Sequence, residues 1–335
     1  MMSAGASDVP ADKPNAPGPH WPAGLSVAVL GPVIALVLAC TFFATQSDHF
    51  LTGGNFSLIL QQVAVVGVIA IGQTLVILTG GIDLSCGMLM ALGGIVMTRF
   101  ATTLGMPPLL AIACGIGVTA LFGLVNGLLV TRIRLPSFIV TLGTMNIAFA
   151  ATQLYSGAQT VTDLPPLMTK LGDTFSVGST EFAWGTVAML ALYAAAWFVL
   201  RETAAGRHVY AVGNNPEATR LVGIPTQRVL LVVYVVAGAL YGVASLLSVA
   251  RTGVGDPNAG QTDNLDAITA VVLGGTSLFG GRGVIVGSLV GALVVGVFRN
   301  GLTLMGVSSI YQVLVTGVLV ILAVTADQLS RRGAR

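Results

Sequence analysis

The sequence predicts an all-α fold: a polytopic membrane protein with about ten transmembrane helices. Of its 335 residues, 54% are hydrophobic and only 8% are charged, and the mean hydropathy is +0.89. A soluble domain carries roughly 25% charged residues because its surface must be solvated. The chain also contains 43 glycines, which allow helices to approach closely inside a bilayer. This composition excludes a soluble enzyme and favours a protein whose surface faces lipid.

The apolar segments are continuous rather than alternating, which indicates helices and not barrel strands. A helix needs about 20 mostly apolar residues to cross a bilayer. The third and eighth candidates are the weakest, because they are short or interrupted by glycine. The predicted spans are residues 25–43, 57–79, 86–103, 107–131, 137–155, 184–200, 229–250, 265–280, 283–302 and 308–326.

The positive charges predict the orientation, because Lys and Arg concentrate on the cytoplasmic side. With the N-terminus inside, only Arg99, Lys170, Arg251 and Arg299 lie outside, against eleven Lys and Arg inside. We therefore expect both termini in the cytoplasm. The predicted parts are a disordered cytoplasmic tail (1–24), a transmembrane domain (25–328) with a long outer loop (156–183) and a long inner loop (201–228), and a second cytoplasmic tail (329–335).

Signatures of catalysis are absent from the sequence. The three histidines fall in separate loops, and no HExxH or nucleophile-elbow motif occurs. Cys40, Cys86 and Cys114 lie in apolar runs, so we expect neither a disulfide framework nor a metal site. A Walker A loop places a lysine after glycine and before Ser or Thr, and neither Lys13 nor Lys170 has those neighbours. We expect no enzyme and no bound cofactor; if ATP drives this protein, another chain hydrolyses it.

The inner loop 201–228 contains a short helix with its own start and stop signals. Asn215 is a good N-cap, and Pro216 suits the first helical position. Glu217 complements the positive end of the helix, and Gly223 is a natural stop. The apolar side chains that share one face at helical spacing are Ala218, Leu221 and Val222. That face must rest either on this protein's own helix ends or on a partner.

The segment ILTGGIDLSCG places an acid between two apolar spans. Intramembrane acids are functional candidates by default, and Asp83 is the acid in this position. Gly80 and Gly81 break regular helix, which is tolerated only inside protein or against a water-filled cavity. Two compatible interpretations stay open. Asp83 caps the third helix, or it forms part of a gate or pathway together with Gly80, Gly81 and Ser85.

Glycine patterns indicate close packing and a possible internal repeat. The pattern Gly-Gly-x-x-Leu-x-x-Gly occurs in the Asp83 segment and returns at 274–281. Duplicated halves are common in transporters, but six predicted crossings separate the copies, so similar turns explain the pattern equally well. Glycines at four-residue spacing favour close helix contacts, which we expect within one subunit rather than at a dimer seam. They are Gly123 and Gly127, and Gly283, Gly287 and Gly291.

Amide side chains inside the spans are candidate pathway residues. An amide is costly against lipid, so we expect each one to face the interior. Uncharged amides suit a neutral polyol, whose hydroxyls both donate and accept hydrogen bonds. Hydrogen bonding between helices explains each residue as well. These amides are Gln61, Gln62, Gln73, Asn126, Asn146 and Gln153.

Three segments in order carry a resemblance to a known family: ILTGGIDLSCG (Ile77–Gly87), GRHVYAVGNNPEATRLVGI (Gly206–Ile224) and AVVLGGTSLFGGRGVIVGSLVGAL (Ala270–Leu293). Together they resemble the permease subunits of ribose/xylose/fructose-type sugar ABC importers, over about residues 55–330. The resemblance implies a type II ABC importer-like fold of ten helices per subunit in the bacterial inner membrane. It also implies import of a simple sugar, a pentose or hexose, with fructose and ribose permeases most similar.

The same resemblance implies three protein partners: a separate ATPase chain, a second copy of the permease and a periplasmic sugar-binding protein. The coupling helix that docks on the ATPase would comprise Asn215, Pro216, Glu217, Ala218, Arg220, Leu221 and Gly223. The binding protein would land on the outer face, where we expect an exposed charged cluster. Its members are Arg251, Asp256, Asp263 and Asp266.

An ion- or proton-coupled secondary transporter is the alternative function, with Asp83 binding the coupling ion. The capped inner helix discriminates between the two, because a secondary carrier has no need of a docking element there. A membrane-embedded enzyme would need His or acidic residues clustered at one depth, and the sequence shows no such cluster.

Overall fold

The computed structural model of the chain describes residues 27–178 and 180–332, and these are mostly helical. The predicted tail 1–24 lies outside the described residues, as do 333–335 of the second tail, whereas 329–332 continue the last helix. Each of the ten predicted spans contains a helix: α1 (Val27–Gln46), α2 (Gly53–Leu78), α3 (Cys86–Thr102), α4 (Pro108–Leu128), α5 (Ser137–Ser156), α7 (Trp184–Glu202), α10 (Thr226–Thr252), α11 (Asp263–Leu273), α12 (Ile285–Leu304) and α13 (Ser309–Arg332).

Shorter elements fill the two long loops. The outer loop contains a helical turn, α6 (Pro166–Thr169), and an antiparallel hairpin of β1 (Thr174–Val177) and β2 (Thr180–Ala183). The inner loop contains two helices, α8 (Ala204–Asn214) and α9 (Pro216–Leu221). Neither the hairpin nor α8 was predicted. The all-α assignment holds except for the two four-residue strands of the hairpin.

The eighth predicted span is wrong as a continuous helix. α11 has 11 residues, which rise about 16 Å at 1.5 Å per residue, roughly half of the hydrocarbon core. Gly274 and Gly275 end the helix, and residues 276–284 return to α12 without regular structure. By length and composition, six of the described helices can cross a bilayer by themselves, so a count of ten crossings is not confirmed; the six are α2, α4, α5, α7, α10 and α12.

α2 is the central helix of the molecule. In its most apolar stretch 83% of the residues are buried, and it packs against α7, α10, α11 and α12. A helix that is apolar on all sides belongs in the interior. The helices with large lipid-accessible faces, such as α4 and α5, lie around this centre.

The predicted glycine contacts form within the subunit. A side chain at Gly123 would meet the backbone of Tyr234 and Gly238 on α10. On α12, a side chain at Gly287 would meet the backbone of Gly274. Close packing of α4 on α10 and of α12 on α11 therefore depends on glycine, as the four-residue spacing predicted.

The two glycine-rich segments end their helices with the same hydrogen bonds. In the second segment these bonds fall one residue later than the sequence pattern predicts. After α2, the N–H groups of Gly80 and Gly81 donate to carbonyls of the last helical turn. After α11, Gly275 and Thr276 make the equivalent bonds. The sequence pattern aligns Gly80 with Gly274, whereas the structure aligns Gly80 with Gly275, where both have positive φ. The shared pattern therefore reflects a common helix stop.

Candidate functional site

Asp83 lies in a buried polar network between α2 and α3. The residue is 1% exposed, and its Oδ1 accepts hydrogen bonds from the N–H of Ser85 at 2.8 Å and from the Ser85 hydroxyl at 2.5 Å. The Gln73 amide donates to the Asp83 carbonyl at 2.7 Å and accepts from the Tyr241 hydroxyl at 3.3 Å. The Asn126 amide donates to the Ser85 hydroxyl at 3.2 Å. Side chains of α2, α4 and α10 therefore meet around this loop.

The loop 79–85 is also held by the start of α5. The Ser137 hydroxyl accepts from the N–H of Ile82 at 3.1 Å. The Thr141 hydroxyl accepts from the N–H of Leu84, also at 3.1 Å. Because backbone groups without a partner are costly in a membrane interior, these side chains stabilise the non-helical loop.

Asp83 does not cap α3, so the capping interpretation is wrong. The N-cap is Ser85, and Asp83 lies two residues before it. Its carboxylate accepts from the Ser85 amide, which precedes the first helical turn. Asp83 therefore stabilises the turn that leads into α3. The neighbouring Gly81 leaves no room for a side chain beside the Tyr234 hydroxyl.

The predicted pathway amides divide into interior and peripheral residues. Gln73 and Asn126 are fully buried, which confirms their predicted interior position, and Gln61 and Gln62 are half-buried. Asn146 is exposed, and its amide donates to a carbonyl of its own helix at 2.9 Å. The prediction that Asn146 faces the interior is therefore wrong for a single chain. One face of α5 packs on α3 and α4, and Asn146 lies on the opposite face.

An open polar cavity of about 320 Å³ lies at the C-terminal end of α10. Its charged lining residues are Arg251, Asp256, Asp263 and Arg299, two of each sign. Its uncharged polar lining residues are Gln62, Ser245, Ser248, Thr252, Thr303 and Gln312. We call this the polar cavity.

Part of the predicted exposed charge cluster is in fact buried. Asp266 is 3% exposed, and its Oδ2 lies 3.1 Å from Nη1 of Arg299. Asp263 lies 3.8 Å from the same nitrogen, and its side chain is 13% exposed. Arg251 is exposed and Asp256 is half-buried, with its carboxylate accepting from the N–H of residue 258 at 2.9 Å. Asp266 is therefore not an exposed docking charge, because its carboxylate is buried and pairs with the partly exposed Arg299.

Sequence reasoning missed the role of Arg299, which it used only for orientation. The signal was present, since an ionisable residue inside an apolar run is a functional or structural candidate. Arg299 joins α12 to α11 through Asp263 and Asp266. The ion pair therefore fixes the half-length helix α11 against its neighbour.

The polar cavity suits a small hydroxylated ligand. Its volume lies at the lower end of the range of ligand sites, roughly 300–1,000 Å³. Carboxylates and amide oxygens accept hydrogen bonds, whereas guanidinium and amide N–H groups donate them. Because the charges balance, the lining does not select strongly for either an anion or a cation.

The start and stop signals of α9 are confirmed. The Asn215 side chain accepts from the N–H of Ala218 at 3.0 Å, and Glu217 pairs with Arg220 at 3.1 Å. Gly223 follows the helix with φ +87°, a conformation that other residues adopt only under strain. The short helix is therefore fixed by its own sequence.

The apolar face of α9 is not covered by the described part of the chain. Leu221 is 80% exposed and Val222 is 76% exposed. The opposite side is anchored, because the buried Thr219 hydroxyl donates to a carbonyl of α8 at 2.8 Å. We predicted that this face rests either on the protein's own helix ends or on a partner, and the described helix ends do not cover it.

α8 connects α9 to the two glycine-rich loops. The Thr203 hydroxyl caps α8 by accepting from the N–H of Gly206, a signal that sequence reasoning overlooked. A side chain at Gly213, near the end of α8, would meet the carbonyl of Leu78 and the amide of Gly281. The Tyr210 hydroxyl donates to the Gly283 carbonyl at 2.9 Å. The inner helices therefore contact directly the end of α2, which precedes the Asp83 loop, and the loop after α11.

No group of His, Cys, Asp or Glu side chains suited to a metal ion occurs within residues 27–178 and 180–332.

Comparison with known proteins gives a consistent set of relatives. A sequence model of the family described as "branched-chain amino acid transport system / permease component" matches residues 55–324, more than half of the chain. The chain is 45% identical to the fructose import permease protein of Rhizobium meliloti over 309 residues, 90% of this chain and 86% of the relative.

Two further relatives are named for other sugars. The chain is 42% identical to the ribose import permease protein of Escherichia coli K12, over 88% of this chain and 92% of the relative. It is 30% identical to the xylose transport system permease protein of the same organism, over 99% of this chain and all of the relative.

Proposed function

The chain belongs to that family of transport-system permease components, and on this premise we propose that it is the membrane-spanning subunit of an ATP-driven importer of a simple sugar. The substrate is a pentose or hexose, with fructose and ribose as the first candidates, and the membrane is the bacterial inner membrane. The observation that carries this proposal is the 45% and 42% identity to fructose and ribose import permeases over about nine-tenths of the chain.

The polar cavity fits a sugar as cargo, which the names of the relatives favour over an amino acid. An amino acid carries a carboxylate and an ammonium group, whereas a neutral sugar presents hydroxyls that both donate and accept hydrogen bonds. The lining offers amides and hydroxyls suited to such groups, and its charges balance.

We assign α9 as the coupling helix that docks on a separate ATPase chain. Leu221 and Val222 present an uncovered apolar face on a helix of fixed geometry. Burying such a face against a partner stabilises the contact by roughly 25 cal/mol per Å² of apolar surface. The seven residues proposed for docking are Asn215, Pro216, Glu217, Ala218, Arg220, Leu221 and Gly223.

We propose that α8 carries motion of α9 to the gate. Gly213 contacts the end of α2 and the loop after α11 through backbone atoms. Backbone contacts of this kind leave no flexible side chain to absorb a displacement. A shift of α9 would therefore move the Asp83 loop, whose proposed gate residues are Gly80, Gly81, Asp83 and Ser85. The amides Gln61, Gln62, Gln73 and Asn126 are proposed for the pathway.

The opposite end of α10 is the proposed delivery side. A periplasmic binding protein would land near Arg251, Asp256 and Asp263, at the mouth of the polar cavity. The excess of Lys and Arg at the other membrane face supports this orientation, with both termini in the cytoplasm. We propose a second copy of the chain as the permease partner. The exposed Asn146 supports a protein-covered or water-filled environment on that face of α5, because an amide is costly against lipid.

The secondary-carrier alternative loses its support. The relatives are named as import permeases and as part of a transport system, and the Asp83 carboxylate is already engaged by Ser85. A coupling acid must exchange its ion during each cycle, whereas this carboxylate stabilises a turn.

The test is sugar uptake into vesicles that contain the purified chain with its ATPase and binding protein. We expect accumulation that requires ATP, persists with a protonophore and is competed by one of fructose, ribose or xylose. Gly223→Val should abolish this uptake and the co-purification of the ATPase, because valine is strained at φ +87°. Gly306→Val is the matched control, since Gly306 also has positive φ but lies in the loop before α13.

Two outcomes would contradict the proposal. Accumulation that ignores ATP and collapses with the protonophore would restore the ion-coupled carrier. Normal uptake and normal ATPase binding by Gly223→Val would remove the coupling assignment of α9.

A further inference from the structure

A second cavity, of about 370 Å³, lies at the N-terminal end of α10. It is lined by the turn that follows α4, by the end of the α9 segment and by the first turn of α10. Its charged lining residues are Arg132, Arg220 and Arg228, and none of the described acidic side chains lines it. We call this the arginine cavity.

Two of these arginines have no partner within the described part of the chain. The Arg220 guanidinium pairs with Glu217 at 3.1 Å, but both side chains are more than half exposed, and such surface pairs contribute little. The side chains of Arg132 and Arg228 form no hydrogen bond or ion pair with any described residue. The cavity therefore carries an uncompensated positive charge.

The surroundings favour an anion at this position. The Gln227 N–H lies in the first turn of α10 and has no acceptor among the described residues, and the start of a helix attracts negative charge. Guanidinium groups bind phosphate oxygens in pairs through two N–H groups. Leu231 adds an apolar wall on the side of the membrane-spanning part of α10.

We propose that the arginine cavity binds the phosphate group of an anionic ligand, with Arg132 and Arg228, which have no partner among the described residues, as its ligands. Two sources can supply this chemistry. One is the headgroup of an anionic phospholipid, whose acyl chains would lie along the apolar ends of α4 and α10. The other is a free phosphate from solution. The proposal does not depend on the sugar as cargo, because it concerns the opposite end of α10 from the polar cavity.

The experiment compares Arg132→Gln/Arg228→Gln with Arg207→Gln in the purified full-length chain. Arg207 is the matched control, because it is exposed on α8, carries the same charge and does not line the cavity. One arm offers equimolar phosphatidylglycerol and phosphatidylcholine and counts the retained lipids by native mass spectrometry. The other arm titrates inorganic phosphate against the chain in phosphatidylcholine nanodiscs by calorimetry. Thermal melting verifies that the variants are folded.

We expect the double variant to lose about twenty-five-fold in affinity for the anion, since each of the two cations near an anionic surface contributes roughly fivefold. The control should match the natural chain. Loss confined to phosphatidylglycerol identifies a lipid headgroup as the ligand, and loss of phosphate binding as well identifies a site open to solution. The proposal is overturned if the double variant matches the control in both arms. It is also overturned if the double variant binds both anions normally but no longer co-purifies with the ATPase, because the arginines then serve a protein interface.

Discussion

The two ends of α10 differ in charge although their cavities are of similar size. α10 has 27 residues and is about 40 Å long at 1.5 Å per residue, so its ends lie at opposite faces of a bilayer. The cavity at its C-terminal end, of about 320 Å³, is lined by two arginines and two aspartates. The cavity at its N-terminal end, of about 370 Å³, is lined by three arginines and no acid. The first suits a neutral polar ligand and the second suits an anion.

The two ends also differ in what remains uncovered. At the C-terminal end, Arg299 already pairs with Asp263 and Asp266, so α11 is fixed within the subunit. At the N-terminal end, Leu221 and Val222 remain exposed, and Arg132 and Arg228 have no ion-pair partner among the described residues. At one end the buried acids are paired within the subunit, whereas the other end offers both apolar and charged groups to partners. The following predictions test this contrast.

The largest expected effect is at the inner end. Gly213→Val places a side chain against the backbone of Leu78 and Gly281, and overpacking of this kind costs roughly 1–3 kcal/mol. We expect ATP-driven uptake to fall at least roughly tenfold, measured with labelled sugar in vesicles. Gly117→Val is the control, because a side chain there meets no atom within 4 Å. Equal uptake by Gly213→Val and Gly117→Val would show that α8 does not act on the gate.

The next effect is at the polar cavity. Arg299→Leu leaves Asp266 buried without its partner, which we expect to destabilise the chain by roughly 3 kcal/mol. The expected result is a lower melting temperature in detergent. Combining Arg299→Leu with Asp266→Asn should recover part of the loss, because the more deeply buried of the two charges that Arg299 pairs with is then removed. If the single variant melts at the natural temperature, the ion pair does not fix α11.

The Asp83 network lies between the two ends. Asp83→Asn keeps an oxygen for the N–H and hydroxyl of Ser85, whereas Asp83→Leu leaves both buried donors unmet, at a cost of roughly 1–3 kcal/mol each. We expect uptake within about threefold of normal for Asn and a roughly tenfold loss for Leu. Loss of uphill accumulation with preserved downhill exchange in the Asn variant would instead indicate a proton-coupled carrier.

The smallest effect concerns delivery at the mouth of the polar cavity. Reversing the exposed Arg251 and the half-buried Asp256, with Arg251→Glu and Asp256→Lys, should raise the concentration of binding protein required for half-maximal uptake about threefold at low salt. The difference should shrink in high salt, because a Debye length of about 3 Å at 1 M screens exposed charges. Unchanged uptake kinetics at every salt concentration would indicate that these two charges are only solvated and do not contact the binding protein.

The sequence by itself determined the features that depend on neighbouring residues. Apolar runs of membrane length predicted the helices, because burial in lipid acts on each segment separately. Asn215 and Gly223 predicted the ends of α9, because capping groups bond to backbone a few residues away. The interior positions of Gln73 and Asn126 followed from the cost of an amide in lipid.

Only the tertiary structure decided how distant segments meet. Arg299 and Asp266 are 33 residues apart, and no local pattern paired them or buried the aspartate. The exposure of Asn146 depended on which face of α5 its neighbours cover. The contact of Gly213 with Leu78 and Gly281 joins three segments that lie far apart in the chain. Such contacts arise from the packing of whole helices, and the periodicity of one segment contains no information about its partner.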